Sequence, residues 1–205
     1  MLRLIADSKL SCLMAKQISL LHPFTESPNL SSEDYRLLSV QGFVWYTDGI
    51  IFNCDNGFVW LTAYEASETN LQKDTETAIV VPVEVPEEKF IRVANDLYKS
   101  DIRLSMPSGH YRMLFELREM KDEEFYTKKY VEAYPHIAEP DLATRPEVCT
   151  LTFVPVEQKV KPQLLKFKPS IPYQYRRQVM RGEMSANDFL PDKFVMYDTP
   201  VKTGW

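Results

Sequence analysis

Glycine, cysteine and histidine are scarce in this chain, and each shortage removes a class of chemistry. Only 6 of the 205 residues are glycine. They form neither a G-x-G-x-x-G fingerprint nor a P-loop, so the usual backbone cradles for nucleotide phosphates are excluded and no cofactor is expected. The 3 cysteines, Cys12, Cys54 and Cys149, are odd in number and lack C-x-x-C spacing. That excludes a disulfide framework and a zinc site of the usual spacing, and predicts buried thiols. The 3 histidines, His22, His110 and His136, lie far apart, so a structural role is expected of each. No G-x-S-x-G elbow is present to present a nucleophilic serine. No apolar run approaches the roughly 18 residues of a membrane helix. Asp7, Lys9 and Lys16 also interrupt any secretory hydrophobic region near the amino end. A cytoplasmic protein that does not enter the membrane is expected.

What is abundant is hydrophobic and aromatic material, 44% and 12% of the chain, enough to build a real core and too much for a disordered chain. Charge is split along the sequence. Residues 1–158 hold 15 basic and 25 acidic side chains, whereas residues 159–205 hold 9 basic and 4 acidic. The division predicts an acidic domain over 1–158 and a basic C-terminal extension over 159–205, packed on the body or projecting from it. An acidic body repels nucleic acid and attracts a basic partner. Lys159, Lys161, Lys166, Lys168, Arg176, Arg177 and Arg181 of the extension can meet phosphates or fold back on the acidic body.

Periodicity points to strands. Short runs rich in Val, Ile, Phe and Tyr, bounded by Gly, Pro, Asn and Asp, recur over 18–24, 43–46, 50–53, 58–64, 78–85, 90–93, 102–106, 111–117 and 148–156. Ser31 or Ser32 ahead of Glu33 and Asp34 opens a helix that Gly42 stops. Thr47-Asp48-Gly49 and Asp55-Asn56-Gly57 carry strong hairpin signals. Residues 102–117 read as a half-buried hairpin about Pro107-Ser108-Gly109, with Leu114 and Glu116 alternating against the inward Tyr111, Met113, Phe115 and Leu117. Pro82 argues for an edge or a bulge. Residues 65–77 read as a long exposed loop, 122–134 as a short helix, 161–172 as extended and 173–184 as a second short helix. The fold class is mainly β: an antiparallel β-sandwich with one or two short helices.

Carboxylates are the most prominent candidate site. Glu65, Glu68, Asp74 and Glu76 share the long loop, and Asp122, Glu123 and Glu124 cluster at a helix start. Either group can pair with Lys and Arg of a basic protein and fix its register, although an acidic body also carries such clusters as plain solvated surface. Trp45, Tyr46, Trp60 and Tyr64 are candidate interface anchors, with a core role favoured for the strand residues.

The segment from Gly42 to Leu117 resembles the competence protein J family, small bacterial inhibitors of a DNA-entry nuclease. The pieces are Gly42-Phe43, Asp48-Gly49-Ile50-Ile51-Phe52, residues 58–61, Val80-Val81-Pro82-Val83-Glu84-Val85, and the run from Ile102 through Pro107-Ser108-Gly109-His110-Tyr111 to Met113. The resemblance extends loosely over 10–158, with an insertion around 120–146, and does not reach the basic extension. It implies a non-catalytic inhibitor or immunity protein whose acidic surface occludes a basic nuclease.

Other classes remain open from the residues. A small-ligand or carbohydrate-binding sandwich would use Trp45, Trp60, Tyr64 and Tyr111 as a stacking platform. A hydrolase would need an acid pair such as Glu84 and Glu116. A DNA-binding regulator would use the extension. If the acidic body inhibits, a chain ending at Val160 retains inhibition.

Overall fold

The computed structural model describes residues 2–11, 17–25, 30–46, 49–54, 58–95, 101–133 and 146–166. Cys12, His136, the 47–48 and 55–57 turns and residues 167–205, with the helix expected over 173–184, lie outside them. Eleven strands are described: β1 (Leu2–Ser11), β2 (Gln17–Leu21), β3 (Phe43–Tyr46), β4 (Gly49–Asn53), β5 (Phe58–Ala66), β6 (Thr77–Val85), β7 (Phe90–Asn95), β8 (Asp101–Ser105), β9 (Gly109–Glu119), β10 (Glu147–Pro155) and β11 (Gln163–Lys166). The helices are α1 (Ser32–Gln41), α2 (Asp122–Phe125) and α3 (Lys128–Ala133).

The strands form a sandwich, as their period-two pattern requires. One sheet runs β1-β5-β10-β9-β6-β11 and the other β3-β4-β2-β7-β8. All pairings are antiparallel but one: β10 lies parallel to β5, with Cys149 opposite Leu61. Inward-facing residues of both sheets merge into the main core, including Val59, Leu61, Val81, Met113, Phe115, Leu151 and Phe153 from the first sheet and Ile18, Phe52 and Val93 from the second. Phe52 and Phe115 stack across the gap at 4.2 Å with rings 4° from parallel. Burying an aromatic ring of this size contributes on the order of 2 kcal/mol. Cys54 and Cys149 are buried in this core.

Each outer face is partly covered. α1 places Leu37 and Leu38 against Val44, Tyr46 and Ile51 of the second sheet. It begins where the sequence says: the Ser31 hydroxyl accepts from the Asp34 N–H at 3.2 Å, and Asp34 accepts from the Ser31 N–H at 2.7 Å. It ends at Gly42, whose φ of 84° is left-handed and cheap only for glycine. On the first sheet, α2 and α3 lay Phe125 and Tyr130 over Trp60, Met120 and Val148, and Val160 covers Ala78, Val80 and Leu114.

Several sequence expectations change here. β8 and β9 belong to different sheets, so residues 102–117 are a sheet-to-sheet corner rather than a hairpin. The Tyr111 hydroxyl ties this corner by donating to the Pro107 carbonyl at 3.0 Å. β4 and β5 are likewise in different sheets, so they do not pair as the hairpin that Asp55-Asn56-Gly57 signals. Leu114 and Glu116, expected outward, are 1% and 3% exposed, because Val160 covers Leu114 and the 67–76 loop folds down onto Glu116. β1 was unmarked in the sequence. Its register shifts between Leu4 and Ala6, which breaks the alternation that would have announced it. The 122–134 helix is two short turns. Pro82 fits its expectation: among the described residues β11 pairs β6 only from Ala78 to Val80, so Pro82 lies beyond the paired part of that edge.

Candidate partner-binding face

The acidic residues singled out in the sequence spread along the first sheet, from the end of β5, where Glu65 is level with Phe153 and Met113, to the other end, where β6 begins and β9 runs into α2. The arrangement starts from Glu116, a buried carboxylate on β9. Its Oε1 accepts from the Gln72 N–H at 2.8 Å and from the Thr75 hydroxyl at 2.7 Å. A buried carboxylate needs such donors; the two on Oε1 tie the loop over the sheet, while Oε2 is buried with no hydrogen-bond partner among the described residues. The loop is closed further by Glu76 N–H donating to the Leu117 carbonyl at 3.0 Å and by Glu119 N–H donating to Glu76 Oε2 at 3.2 Å.

Arg118, two residues beyond Glu116 on the same face, joins the loop to the helix. Its guanidinium donates to both oxygens of Glu124, at 2.7 and 2.6 Å, and its Nε lies 3.6 Å from Asp74 Oδ2. Lys121 Nζ reaches that same Asp74 oxygen at 2.7 Å. Glu124 also accepts from the Lys121 N–H at 2.9 Å, closing the first turn of α2. These contacts set the charges. The hydrogen bond from Arg118 lowers the Glu124 pKa, that from Lys121 lowers the Asp74 pKa, and Glu124 raises that of Arg118.

Within the molecule Arg118 and Lys121 hold Asp74 and Glu124, the β9 backbone donates to Glu76, Arg3 pairs with Glu65, and the Asn70 amide donates to Glu68 at 3.4 Å. Glu68, Asp122 and Glu123 are exposed. Two large apolar groups face solvent on the same two segments, Leu71 in the loop at 47% and Tyr126 just after α2 at 58%. The sequence reading passed over both, since Leu71 is one apolar residue in a polar loop and Tyr126 fell inside an expected helix. The loop and α2 thus present Glu68, Asp122, Glu123, Leu71 and Tyr126 to solvent, with Lys73, Asp74 and Lys121 also exposed, and Arg118 joins the two elements.

The aromatics proposed as anchors serve other ends. Trp60 is buried under α3 with Tyr130 edge-on at 4.8 Å, and its Nε1–H donates to Asp7 at 2.5 Å. Burial works against the Asp7 carboxylate, but hydrogen bonds from Lys129 and Trp60 outweigh it and lower its pKa. Tyr46 is buried; Trp45 and Tyr64 are half-buried. Trp60 and Tyr111 lie on opposite faces of the first sheet, so the four-ring platform does not assemble. Glu84 pairs with His110 and Glu116 with Ala78 along the β6–β9 ladder, which puts the two carboxylates six residues, roughly 20 Å, apart. They cannot form an acid pair. Among the described residues, no group of three or more His, Cys, Asp or Glu is placed to hold a metal, and no helix is long and apolar enough to cross a membrane.

Known proteins resemble this chain at two levels. Among curated proteins, none matches the sequence. In three dimensions the fold is similar to that of ComJ from Bacillus subtilis, an inhibitor of the DNA-degrading activity of NucA. That likeness has 15% identity over 75% of this chain and 99% of that one, with a TM-score of 0.51. A crocagin biosynthetic gene J protein aligns at 16% identity over 77% of this chain and 99% of its own, with a TM-score of 0.49. The family model for competence protein J matches residues 11–154, a span holding both sheets except most of β1 and the edge strand β11. This chain belongs to the competence protein J (ComJ) family.

Proposed function

We propose that this protein is a nuclease inhibitor that works by occlusion, using the exposed acids Glu68 of the 67–76 loop and Asp122 and Glu123 of α2. Membership of the ComJ family is the observation that carries the reading, since the Bacillus subtilis member inhibits the DNA-degrading activity of NucA. A nuclease must hold DNA phosphates with basic groups. Carboxylates presented on a rigid scaffold can take those positions by charge-assisted hydrogen bonds without any chemistry of their own. Glu68, Asp122 and Glu123 are favoured by their exposure, and because Arg118, Lys121 and Arg3 already neutralise Glu124, Asp74 and Glu65 while Glu76 accepts from the backbone. Leu71 and Tyr126 supply the apolar contact that a purely electrostatic face lacks. Acting in the cytoplasm, such a complex serves DNA-uptake control or immunity to a nuclease toxin.

The test is capture of the tagged protein from its host lysate, followed by a DNA-degradation assay on what co-purifies. The reading expects a basic nuclease in near-equal amount, silent until the complex is dissociated. Recovery of no nuclease, with purified protein failing to slow any metal-dependent DNase tried, would count against it.

A further inference from the structure

At the end of the sandwich away from α2, the space between the sheets opens as a cleft of about 300 Å³. Trp45, Ile50, Val83 and Tyr111 give it apolar and aromatic walls, while His22, Glu84, His110 and Lys159 supply its polar groups. Such a volume is at the lower end for small-molecule sites, and an apolar interior with a few convergent polar groups is their usual make-up. Tyr111 of the cleft is separated from Arg118 by seven residues of β9, roughly 20 Å.

The polar groups specify the ligand. Lys159 Nζ sits 2.8 Å from Glu84 Oε2, so the chain itself places an ammonium on this carboxylate. The hydrogen bond from Lys159 lowers the Glu84 pKa and keeps the group ionised. The side chains of Lys159 and Glu84 are 63% and 50% exposed. An ion pair that open to water is weak and readily exchanged. His110 Nδ1 is buried and makes no hydrogen bond; it lies 3.7 Å from the same Glu84 oxygen, beyond hydrogen-bonding length. The mouth thus offers an anion occupied by an exchangeable ammonium, and a buried imidazole nitrogen lacking a hydrogen-bond partner.

We infer that the cleft binds a small organic amine, its apolar or aromatic body between the sheets and its ammonium on Glu84 in place of Lys159. An ammonium carries three donors, enough to serve Glu84 and the His110 nitrogen together. A carboxylate ligand would face Glu84, and a hydrocarbon would leave the imidazole nitrogen as it is. Flat rings suit walls that include Trp45 and Tyr111.

The experiment titrates the full chain with tryptamine by calorimetry, with indole-3-propionate as the anionic counterpart and NMR of the Trp45 indole N–H as a local reporter. Saturable binding of tryptamine is expected, with no binding of the acid. Glu84→Gln should weaken it about ten-fold, the loss of one charge-assisted contact. Lys159→Met should strengthen it several-fold by removing the competing ammonium. Thermal melts of both variants establish that they fold. Three results would each overturn the inference: no tryptamine binding to either the parent or Lys159→Met, equal binding of the acid, or parent-like affinity in folded Glu84→Gln. None of these arms involves a nuclease, so the result stands apart from the inhibitor reading.

Discussion

Arg118 holds Glu124 in a two-pronged grip, with Nη2 to Oε1 at 2.6 Å and Nη1 to Oε2 at 2.7 Å, while the same guanidinium faces Asp74 on a different loop. One side chain, only 12% exposed, therefore fixes the position of α2 relative to the 67–76 loop. Replacing it with methionine keeps the stem and removes the grip. Arg118→Met is expected to lower unfolding stability by about 2 kcal/mol, the scale of a charged hydrogen-bond pair left without its partner. Urea denaturation measures it.

The same network predicts an acid response. Glu124 and Asp74 have pKa values lowered from the ordinary 4.5 and 3.8 by Arg118 and Lys121 respectively. A carboxylate with a depressed folded-state pKa adds stability that is full above its unfolded value and is lost as pH falls through the folded one. Stability should hold down to about pH 4.5 and decline below it. In Arg118→Met the decline should be shallower, because Glu124 has less to lose. Urea midpoints between pH 7 and pH 3 give both profiles.

Glu116 pins the loop that carries Glu68 and Leu71. Glu116→Ala removes the acceptor for Gln72 N–H and the Thr75 hydroxyl, and the loop should detach while the sheets remain. Limited proteolysis is expected to cut within 67–76 at least ten-fold faster than in the parent, since opening in place of about 1.4 kcal/mol of contacts raises the open population by that factor. A loop cut no faster would show that Glu116 does not hold it.

The basic extension begins as part of the body. Lys166 donates to the Thr75 carbonyl, β11 pairs with β6, and Val160 packs over Leu114. A chain ending at Val160 should melt several degrees lower than one ending at Lys168, equivalent to roughly 1 to 3 kcal/mol. Both should inhibit the partner nuclease if the acidic face does the work. Loss of inhibition in the chain ending at Lys168, still folded, would move the site into residues 169–205.

Legibility from sequence followed the range of the interactions. α1 was readable to its caps because Ser31, Asp34 and Gly42 act within a few residues of one another. The strands were readable because alternation is local, except β1, where a bulge interrupts it. Which strands pair was not. Nothing local distinguishes the corner at Pro107-Ser108-Gly109 from a hairpin, since the choice is made by whether β8 finds β7 or β9. The acidic residues were legible as candidates, but their state was not. Asp74 and Glu124 look as available as Glu68 and Glu123 until Arg118, 44 and 6 positions away in sequence, is seen between them. Leu71 and Tyr126 matter only because folding leaves them exposed beside those acids.

Charge reversal on the binding face tests the central claim most directly. The triple variant Glu68→Lys, Asp122→Lys, Glu123→Lys is compared with Glu87→Lys, Glu88→Lys, which alters two exposed acids in the β6–β7 turn. Inhibition of the partner nuclease is measured as DNA degradation against inhibitor concentration, at fixed ionic strength. The account predicts that the triple variant loses about 100-fold or more in potency while the control stays within about three-fold, the expected penalty for like charges facing across an interface. Equal potency of the folded triple variant and the parent would contradict it.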